Sequence, residues 1–197
     1  MKYIITGLHS SGKREIISEL VRLNIKCGKL FSNIDNSSNK LYNSENFELY
    51  SDKDISDIFE NNAYIFIKDA QRINNIKPCF IGLSKFNYDN NDVFVLSPDE
   101  LNAIPNTFSD DICIIWVDCT LSNRKSRYLT EKRTYNFINR EEFEKTEINN
   151  YVKKMYELNI DPTILYFANE EPLRVATIIY TLIKYPELLD LYKKNFN

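Results

Sequence analysis

A short segment near the start of the chain combines glycines, hydroxyl side chains and a lysine at a spacing that suits phosphate binding. Residues 7–13 read Gly-Leu-His-Ser-Ser-Gly-Lys, although the 197 residues contain four glycines in all. Glycines let successive main-chain N–H groups face a polyphosphate, and the lysine adds a mobile charge near the β- and γ-phosphates. The alternative is a glycine turn ahead of an amphipathic helix. The spacing favours a nucleotide-binding phosphate loop made of Gly7, His9, Ser10, Ser11, Gly12, Lys13 and Arg14.

The residues that could contact a metal ion differ from the usual pattern of such a loop. Arg14 occupies the position where a serine or threonine normally ligates Mg²⁺, and a guanidinium group cannot ligate a cation. Two alternatives follow: either Mg²⁺ is held mainly by phosphate oxygens and water, with a carboxylate and without a dedicated protein ligand set, or the site has changed its function. Asp118, after a strand-like run, either contacts hydrated Mg²⁺ or forms a turn. His9 is the single histidine, which excludes a histidine triad, and it is either a phosphate or lid contact or an inert loop side chain.

A second group of candidate residues is rich in arginine. Planar guanidinium groups suit the negative charge that develops between donor and acceptor during phosphoryl transfer. The other interpretation is a solvated helix whose arginines pair with Glu131, Glu141, Glu142 and Glu144. The four candidate residues of this group are Arg124, Arg127, Arg133 and Arg140.

Composition limits the other functions that the chain could have. Hydrophobic residues make up 43% and charged residues 27%, which excludes a disordered chain. The 25 lysines and arginines against 28 acidic residues give a net charge of −3, which argues against nucleic acid or an anionic membrane as the main partner. A glycine at position 7 comes too early for a signal-peptide core, and no apolar run is long enough to span a membrane. We expect a soluble cytoplasmic protein with reduced thiols at Cys27, Cys79, Cys113 and Cys119.

The elements that must position these residues alternate between strand-like and helix-like patterns. Strands are predicted at 2–6, 64–68, 92–96, 112–117 and 164–167. Helices are predicted at 13–23, after Ser51, after Ser97, and at 121–131, 140–158 and 172–184. This alternation predicts an α/β fold with a largely parallel sheet and helices on both of its faces. The polar segments 31–50 and 69–91 bracket an insertion of about 50 residues.

These motifs, in this order, resemble the P-loop nucleoside monophosphate kinases, and most closely the guanylate kinase type. The likeness extends over most of the chain and is carried by five stretches. They are the phosphate loop, Glu-Leu-Tyr-Ser-Asp-Lys-Asp-Ile at 48–55 continuing to residue 65, Phe-Ile-Gly-Leu-Ser at 80–84, the pair Arg124 and Arg127, and Ile-Leu-Tyr-Phe-Ala-Asn at 164–169.

The resemblance implies one domain, a P-loop NTPase three-layer sandwich with a mostly parallel five-stranded sheet. Its core would comprise residues 1–31, 86–121 and 146–197, with a monophosphate-binding insertion at 32–85 and a helical lid at 122–145. It further implies ATP-dependent phosphoryl transfer to a (deoxy)nucleoside monophosphate, with Mg²⁺ between the phosphates.

The resemblance also assigns roles to residues. Lys13, Arg127, Arg133 and Arg140 would be catalytic, while Arg124 and Asn169 would border ATP beside the phosphate loop. The acceptor would meet Ser32, Tyr42, Tyr50, Asp69, Ile81, Gly82 and Ser84.

Several positions depart from the family pattern. Lys-Leu-Phe-Ser-Asn at 29–33 replaces the Thr-Thr-Arg phosphate clamp, and no arginine occurs between Arg22 and Arg72, so Lys29, Lys40, Tyr42 or Tyr50 must supply donors. Lys68 replaces the acidic guanine-reading residue, although Asp69 follows it, and 92–97 lacks the second aspartate of the usual pair. A divergent kinase for another (deoxy)nucleotide, such as a phage-encoded enzyme, fits as well. The alternatives are a catalytically inactive guanylate kinase-like binding module and a P-loop kinase for another phosphate acceptor.

Overall fold

The three-dimensional structure is a computed structural model that describes residues 1–33, 47–69, 79–130, 136–158, 163–168 and 171–191. In chain order its elements are β1 (Lys2–Thr6), α1 (Lys13–Arg22), β2 (Cys27–Gly28), β3 (Leu30–Ser32), β4 (Phe47–Leu49), α2 (Asp52–Glu60), β5 (Tyr64–Asp69), β6 (Phe80–Ser84), α3 (Lys85–Asn90), β7 (Val93–Val95), α4 (Pro98–Asn102), β8 (Ile112–Asp118), α5 (Leu121–Thr130), α6 (Phe137–Glu157), β9 (Thr163–Ala168) and α7 (Pro172–Lys184). Two short 3₁₀ helices lie at Asn106–Asp111 and Pro186–Leu188.

Five parallel strands form the central sheet, in the order β2-β7-β1-β8-β9. β1 lies in the middle, paired with β7 on one side and β8 on the other. The six residues from Ile112 to Val117 are all buried, as expected for a strand covered on both faces. The predicted α/β class with a parallel five-stranded sheet is therefore confirmed.

The two faces of this sheet pack against different layers. Side chains alternate along β1, so Tyr3 and Ile5 face a core formed with α1 and α7, whereas Ile4 faces the opposite core. That second core includes Leu101 of α4 and Met155 of α6, together with buried residues of β3, β5 and β6. The central sheet is thus the middle layer between helices on both sides.

A second, four-stranded sheet has the order β4-β3-β6-β5. β6 runs antiparallel to both β3 and β5, and β3 pairs with β4 in parallel. The predicted strand at 64–68 belongs to this sheet as β5, where it pairs antiparallel with β6. The fifth strand of the central sheet is the two-residue strand β2, which the sequence patterns did not predict.

Local capping signals in the sequence explain where several helices begin. Ser51 and Asp54 form the predicted capping box at the start of α2, with Ser51 N–H donating to Asp54 Oδ2 at 2.8 Å. Pro98 occupies the first turn of α4, and Glu100 Oε2 accepts from Ser97 N–H at 2.7 Å. α6 begins three residues before the predicted 140, because Asn136 caps it through Asn139 N–H at 3.0 Å. None of the described helices combines the length and apolar character needed to cross a membrane.

Candidate functional site

The segment predicted to be a phosphate loop, residues 7–14, lies between β1 and α1, at the carboxyl edge of the central sheet, and it keeps that name below. Three of its residues have positive φ: Gly7 at 141°, Ser10 at 58° and Gly12 at 91°. Gly12 is the N-cap of α1, so the first N–H groups of this helix have no acceptor within it and carry the positive end of its dipole. The loop therefore has the geometry of an anion site at a helix N-terminus.

Gly7 fixes the start of the loop against the neighbouring strand. A Cβ added at this position would lie 2.0 Å from the Val117 carbonyl oxygen of β8 and 3.0 Å from its carbonyl carbon. No side chain can occupy that space unless the main chain of one strand moves. The first glycine of the motif is thus required by close packing of two strands as well as by its φ angle.

Lys13 is half-buried in the first turn of α1 and folds back over the loop. Its Nζ donates to the carbonyl oxygens of Gly7 and Leu8, both at 2.8 Å, and lies 3.4 Å from Ser11 Oγ. These contacts hold an ammonium group beside the loop amides. Arg14 follows it in the first turn of α1 and is also half-buried.

Ser10 is held from the side of β8 and α5. Its carbonyl oxygen accepts from Arg127 Nη1 at 3.3 Å, and Cys119 Sγ lies 3.8 Å from the same oxygen. Burial raises the pKa of the Cys119 thiol, against the opposing effect of Arg127 and Arg124, so this sulfur stays protonated and can donate. Arg127 is therefore at the phosphate loop, while its guanidinium also contacts Cys119 Sγ at 3.7 Å.

The left-handed conformation of Ser10 leads to a prediction on stability. Its Oγ is buried and has no hydrogen-bond partner among the described residues, and φ of 58° is unfavourable for a residue with a Cβ. We expect Ser10→Gly to raise the free energy of unfolding by about 0.5–1 kcal/mol, the relieved strain outweighing the added freedom of the unfolded chain. Urea unfolding checks this. The matched Ser11→Gly, at a position without positive φ, should destabilise, and equal effects of both variants would contradict the strain argument.

Arg124 is 5% exposed and holds α5 against α6. Its Nη1 donates to Glu141 Oε2 at 2.8 Å, its Nε lies 3.4 Å from the Cys119 carbonyl oxygen, and its guanidinium lies over the Phe137 ring at 5.7 Å. The hydrogen bond from Arg124, aided by Lys145, lowers the pKa of Glu141 to about 2. One of the glutamates in the solvated-helix interpretation is thus the partner of Arg124, and the pair is largely buried rather than solvated.

The Arg124–Glu141 pair predicts a pH-dependent stability. The pKa of Glu141 is lower in the folded than in the unfolded state, so its contribution is complete above its ordinary pKa of 4.5 and declines as the pH falls towards 2. We expect Glu141→Gln to cost about 2 kcal/mol at pH 7, because Arg124 loses a charged acceptor. In denaturant titrations, the difference in the free energy of unfolding between Glu141→Gln and the native chain should shrink as the pH falls from 5 to 2. Glu142→Gln, at an exposed position of the same helix, should show no such trend; a constant difference for Glu141→Gln would contradict the assignment.

His9 and Arg140 meet through a buried glutamate. Glu144 Oε2 accepts from the His9 main-chain N–H at 2.7 Å and lies 3.1 Å from His9 Nδ1, while Oε1 accepts from Arg140 Nε at 2.8 Å. Burial alone would raise the pKa of Glu144, but hydrogen bonding from His9 and the charges of Lys13 and Arg140 lower it. His9 is itself buried, with its ring 4.3 Å from that of Phe137. Glu144 and Phe137 both belong to the segment 122–145, the predicted lid, so of the alternatives stated for His9 these contacts correspond to the lid contact.

The ion pairs continue from Arg140 to the second sheet. Arg140 Nη2 lies 3.6 Å from Asp99 Oδ1 at the start of α4, and Asp99 also binds Lys68 of β5. Burial alone would raise the pKa of Asp99, but Lys68, Ser97 and Arg140 together lower it. The predicted catalytic arginine Arg140 is thus bound to two carboxylates, as Arg124 is bound to Glu141.

The remaining predicted site residues lie in several places. Ser32, Ile81, Gly82 and Ser84 are buried in β3 and β6 of the second sheet. Tyr50 stacks on Phe31 with ring centroids 5.2 Å apart, and Asp69 is the exposed last residue of β5. Asp118 Oδ1 accepts from Cys119 N–H at 2.8 Å and lies 3.7 Å from Arg124 Nε. Three predicted residues lie outside the described part of the chain: Tyr42, Arg133 and Asn169.

The side chains and main-chain groups of this site suit a phosphate group better than a metal ion. Within the described ranges, no three histidine, cysteine or acidic side chains cluster closely enough to hold a metal ion. The loop instead offers main-chain N–H groups, a helix N-terminus, Lys13 and Arg127, which are ligands for an anion. Sequence reasoning named Glu144 only as a possible partner of an arginine and Cys119 only as a reduced thiol, and it gave Asp99 no role at the site.

Comparison with known proteins supports the architecture. No family model matches the chain, and no curated protein matches it. Among solved structures, the crystal structure of guanylate kinase from Anaplasma phagocytophilum matches with a TM-score of 0.53 and 13% sequence identity, over 93% of this chain and 84% of that chain. At this identity the likeness shows the fold alone, so the chain has a guanylate kinase-like fold.

Proposed function

We propose that this protein is a nucleoside monophosphate kinase that transfers the γ-phosphoryl group of ATP to a (deoxy)nucleoside monophosphate. The observation that carries the proposal is the phosphate loop, a positive-φ turn at the N-terminus of α1 with Lys13 folded over it. The guanylate kinase-like fold adds support, because that loop occupies the carboxyl edge of the parallel sheet, where ligands of open α/β sheets bind.

In this proposal, the chain's own groups bind and orient the phosphates. The loop amides and the dipole of α1 receive the β-phosphate, and Lys13 exchanges its carbonyl acceptors for β- and γ-phosphate oxygens. Arg127 already lies at the Ser10 carbonyl oxygen and can turn its guanidinium towards the transferred group. Bound Mg²⁺ would neutralise charge between the phosphates, held by phosphate oxygens and water. Catalysis would then consist of positioning and charge stabilisation.

The proposed acceptor site is the second sheet and the segment around it. Ser32, Tyr50 and Ser84 place hydroxyl groups there, and burial together with Glu48 raises the pKa of Tyr50, so its hydroxyl remains a donor. We assign residues 32–85 to acceptor binding and residues 122–145 to a lid over the donor. Arg133 and Asn169 keep their proposed roles towards the transferred group and the adenine, respectively.

ADP formation tests this function directly. Purified protein, ATP and Mg²⁺ are incubated with each common nucleoside and deoxynucleoside monophosphate in turn, and ADP is measured with a coupled assay. We expect acceptor-dependent ADP formation with at least one of them. If none of the monophosphates increases ADP formation, the proposal is contradicted. A screen of phosphate-bearing metabolites and nucleic-acid ends would then test whether the protein is a kinase for another acceptor.

The specific contacts of two arginines favour a second candidate, a nucleotide-binding module without transferase activity. Arg124 and Arg140 both bind carboxylates in this structure, and Arg14 replaces the usual metal-ligating residue. Such a module would bind ATP but form no ADP with any acceptor. The kinase is favoured because Lys13 and Arg127 both lie at the loop where phosphoryl transfer needs them.

A further inference from the structure

Glu144 is a buried acid that the proposed reaction does not use. It is 2% exposed and lies in α6, on the same helix face as Ile148, Tyr151 and Met155, which pack in the core. A carboxylate in such a stripe is costly unless it is fully hydrogen-bonded. Glu144 must therefore be compensated by its partners, and those partners identify its role.

Both oxygens of Glu144 are occupied. Oε2 receives the His9 main-chain N–H at 2.7 Å and faces His9 Nδ1 at 3.1 Å, and Oε1 receives Arg140 Nε at 2.8 Å. The carboxylate thus binds a main-chain group of the phosphate loop, whose position does not depend on a side-chain rotamer. Arg140, which also faces Asp99 at 3.6 Å, holds the carboxylate from the opposite side.

The phosphate loop needs such external contacts because its conformation is strained. The residue after His9 is Ser10, whose φ of 58° is one that residues with a Cβ rarely adopt. Strained main-chain conformations persist where the surrounding structure holds them in place. Glu144 holds the residue before Ser10, and Arg127 holds the carbonyl oxygen of Ser10 itself. These two contacts come from α6 and α5, so helices distant in sequence define the shape of the loop.

We propose that Glu144 is a positioning residue that keeps the phosphate loop in its nucleotide-binding conformation before the nucleotide arrives, by holding the His9 N–H. The effect of Glu144 on nucleotide binding rests on the proposed function. The positioning itself is a property of the unliganded protein. Its consequence is that Glu144 lowers the conformational cost of binding the donor while contributing no direct contact to it.

Hydrogen exchange of the unliganded protein tests the positioning. The variants are Glu144→Gln, which keeps one acceptor oxygen, Glu144→Ala, which keeps none, and the exposed control Glu142→Gln. We expect amides of residues 8–12 to exchange about tenfold faster in Glu144→Gln and faster still in Glu144→Ala, with β1 and β8 unchanged. Glu142→Gln should match the native chain. If Glu144→Ala does not fold, Glu144→Gln decides the matter. Native exchange rates at 8–12 in Glu144→Gln would overturn the proposal.

Titration with a fluorescent ATP analogue, the N-methylanthraniloyl derivative, tests the consequence for binding. We expect about tenfold weaker binding by Glu144→Gln, in line with the loss of one charged hydrogen bond, and native affinity for Glu142→Gln. Tighter binding by Glu144→Gln would overturn the proposal, because it would mean that the carboxylate competes with phosphate for the His9 N–H. If the native chain itself does not bind the analogue, the proposed function fails, and the exchange experiment still decides whether Glu144 positions the loop.

Discussion

Replacing Lys13 with alanine is expected to lower kcat/KM for phosphoryl transfer at least about a hundredfold, the cost typical of removing one electrostatic stabiliser of a transition state. Lys13 is the one ammonium group that the structure places over the phosphate loop, within the described part of the chain. Arg127 also contacts the loop, but at the Ser10 carbonyl oxygen, whereas Lys13 contacts the carbonyl oxygens of Gly7 and Leu8.

The fold should survive this substitution. The acceptors of Lys13 are carbonyl oxygens at a half-buried site, which water can reach when the side chain is removed. We expect the melting temperature of Lys13→Ala to stay within a few degrees of the native value. The control is Lys26→Ala, an exposed lysine just before β2, which should keep full activity. A Lys13→Ala protein with native activity would show that the phosphate loop is not the donor site.

Replacing Gly7 with alanine is expected to be the most destabilising single change in the loop. The added Cβ would lie 2.0 Å from the Val117 carbonyl oxygen, and φ of 141° is unfavourable for alanine. Main-chain strain and overpacking each cost about 1–3 kcal/mol, so we expect a loss of about 3 kcal/mol or more from a total of about 5–15 kcal/mol.

Urea unfolding of Gly7→Ala beside Ser10→Gly gives the clearest comparison. The first variant adds a methyl group where the main chains of β1 and β8 leave no space, and the second removes a side chain from a strained position. Relative to the native chain, we expect Gly7→Ala to lower the free energy of unfolding and Ser10→Gly to raise it. A Gly7→Ala protein as stable as the native chain would show that the loop does not pack against Val117 as described.

Local patterns predicted much of the framework. The glycine spacing located the turn between β1 and α1, near-continuous apolar runs located β8 and β9, and capping signals at Ser51 and Ser97 located two helix starts. These features depend on neighbours a few residues apart in the chain, so a single sequence is enough to predict them. The two-residue strand β2 was missed because Cys-Gly carries no strand pattern of its own.

Tertiary partners could not be predicted in the same way. The arginine-rich segment was compatible with phosphate binding and with ion pairing, and the structure pairs Arg124 with Glu141 and Arg140 with Glu144. Packing of α5 against α6 decides which acid each arginine meets, and sequence spacing does not encode that packing. One signal was available for Glu144, because it interrupts the apolar stripe that continues through Ile148, Tyr151 and Met155.

The proposed function depends on binding of the donor nucleotide's triphosphate by the phosphate loop at residues 7–13. Isothermal titration calorimetry of ATP with Mg²⁺ into the native chain and into Lys13→Ala measures this without any assumption about the acceptor. We predict one saturable site per chain in the native protein and binding at least about tenfold weaker in Lys13→Ala, from the loss of one charged contact. No binding at millimolar ATP, or equal affinity in both proteins, would show that residues 7–13 do not bind the donor triphosphate.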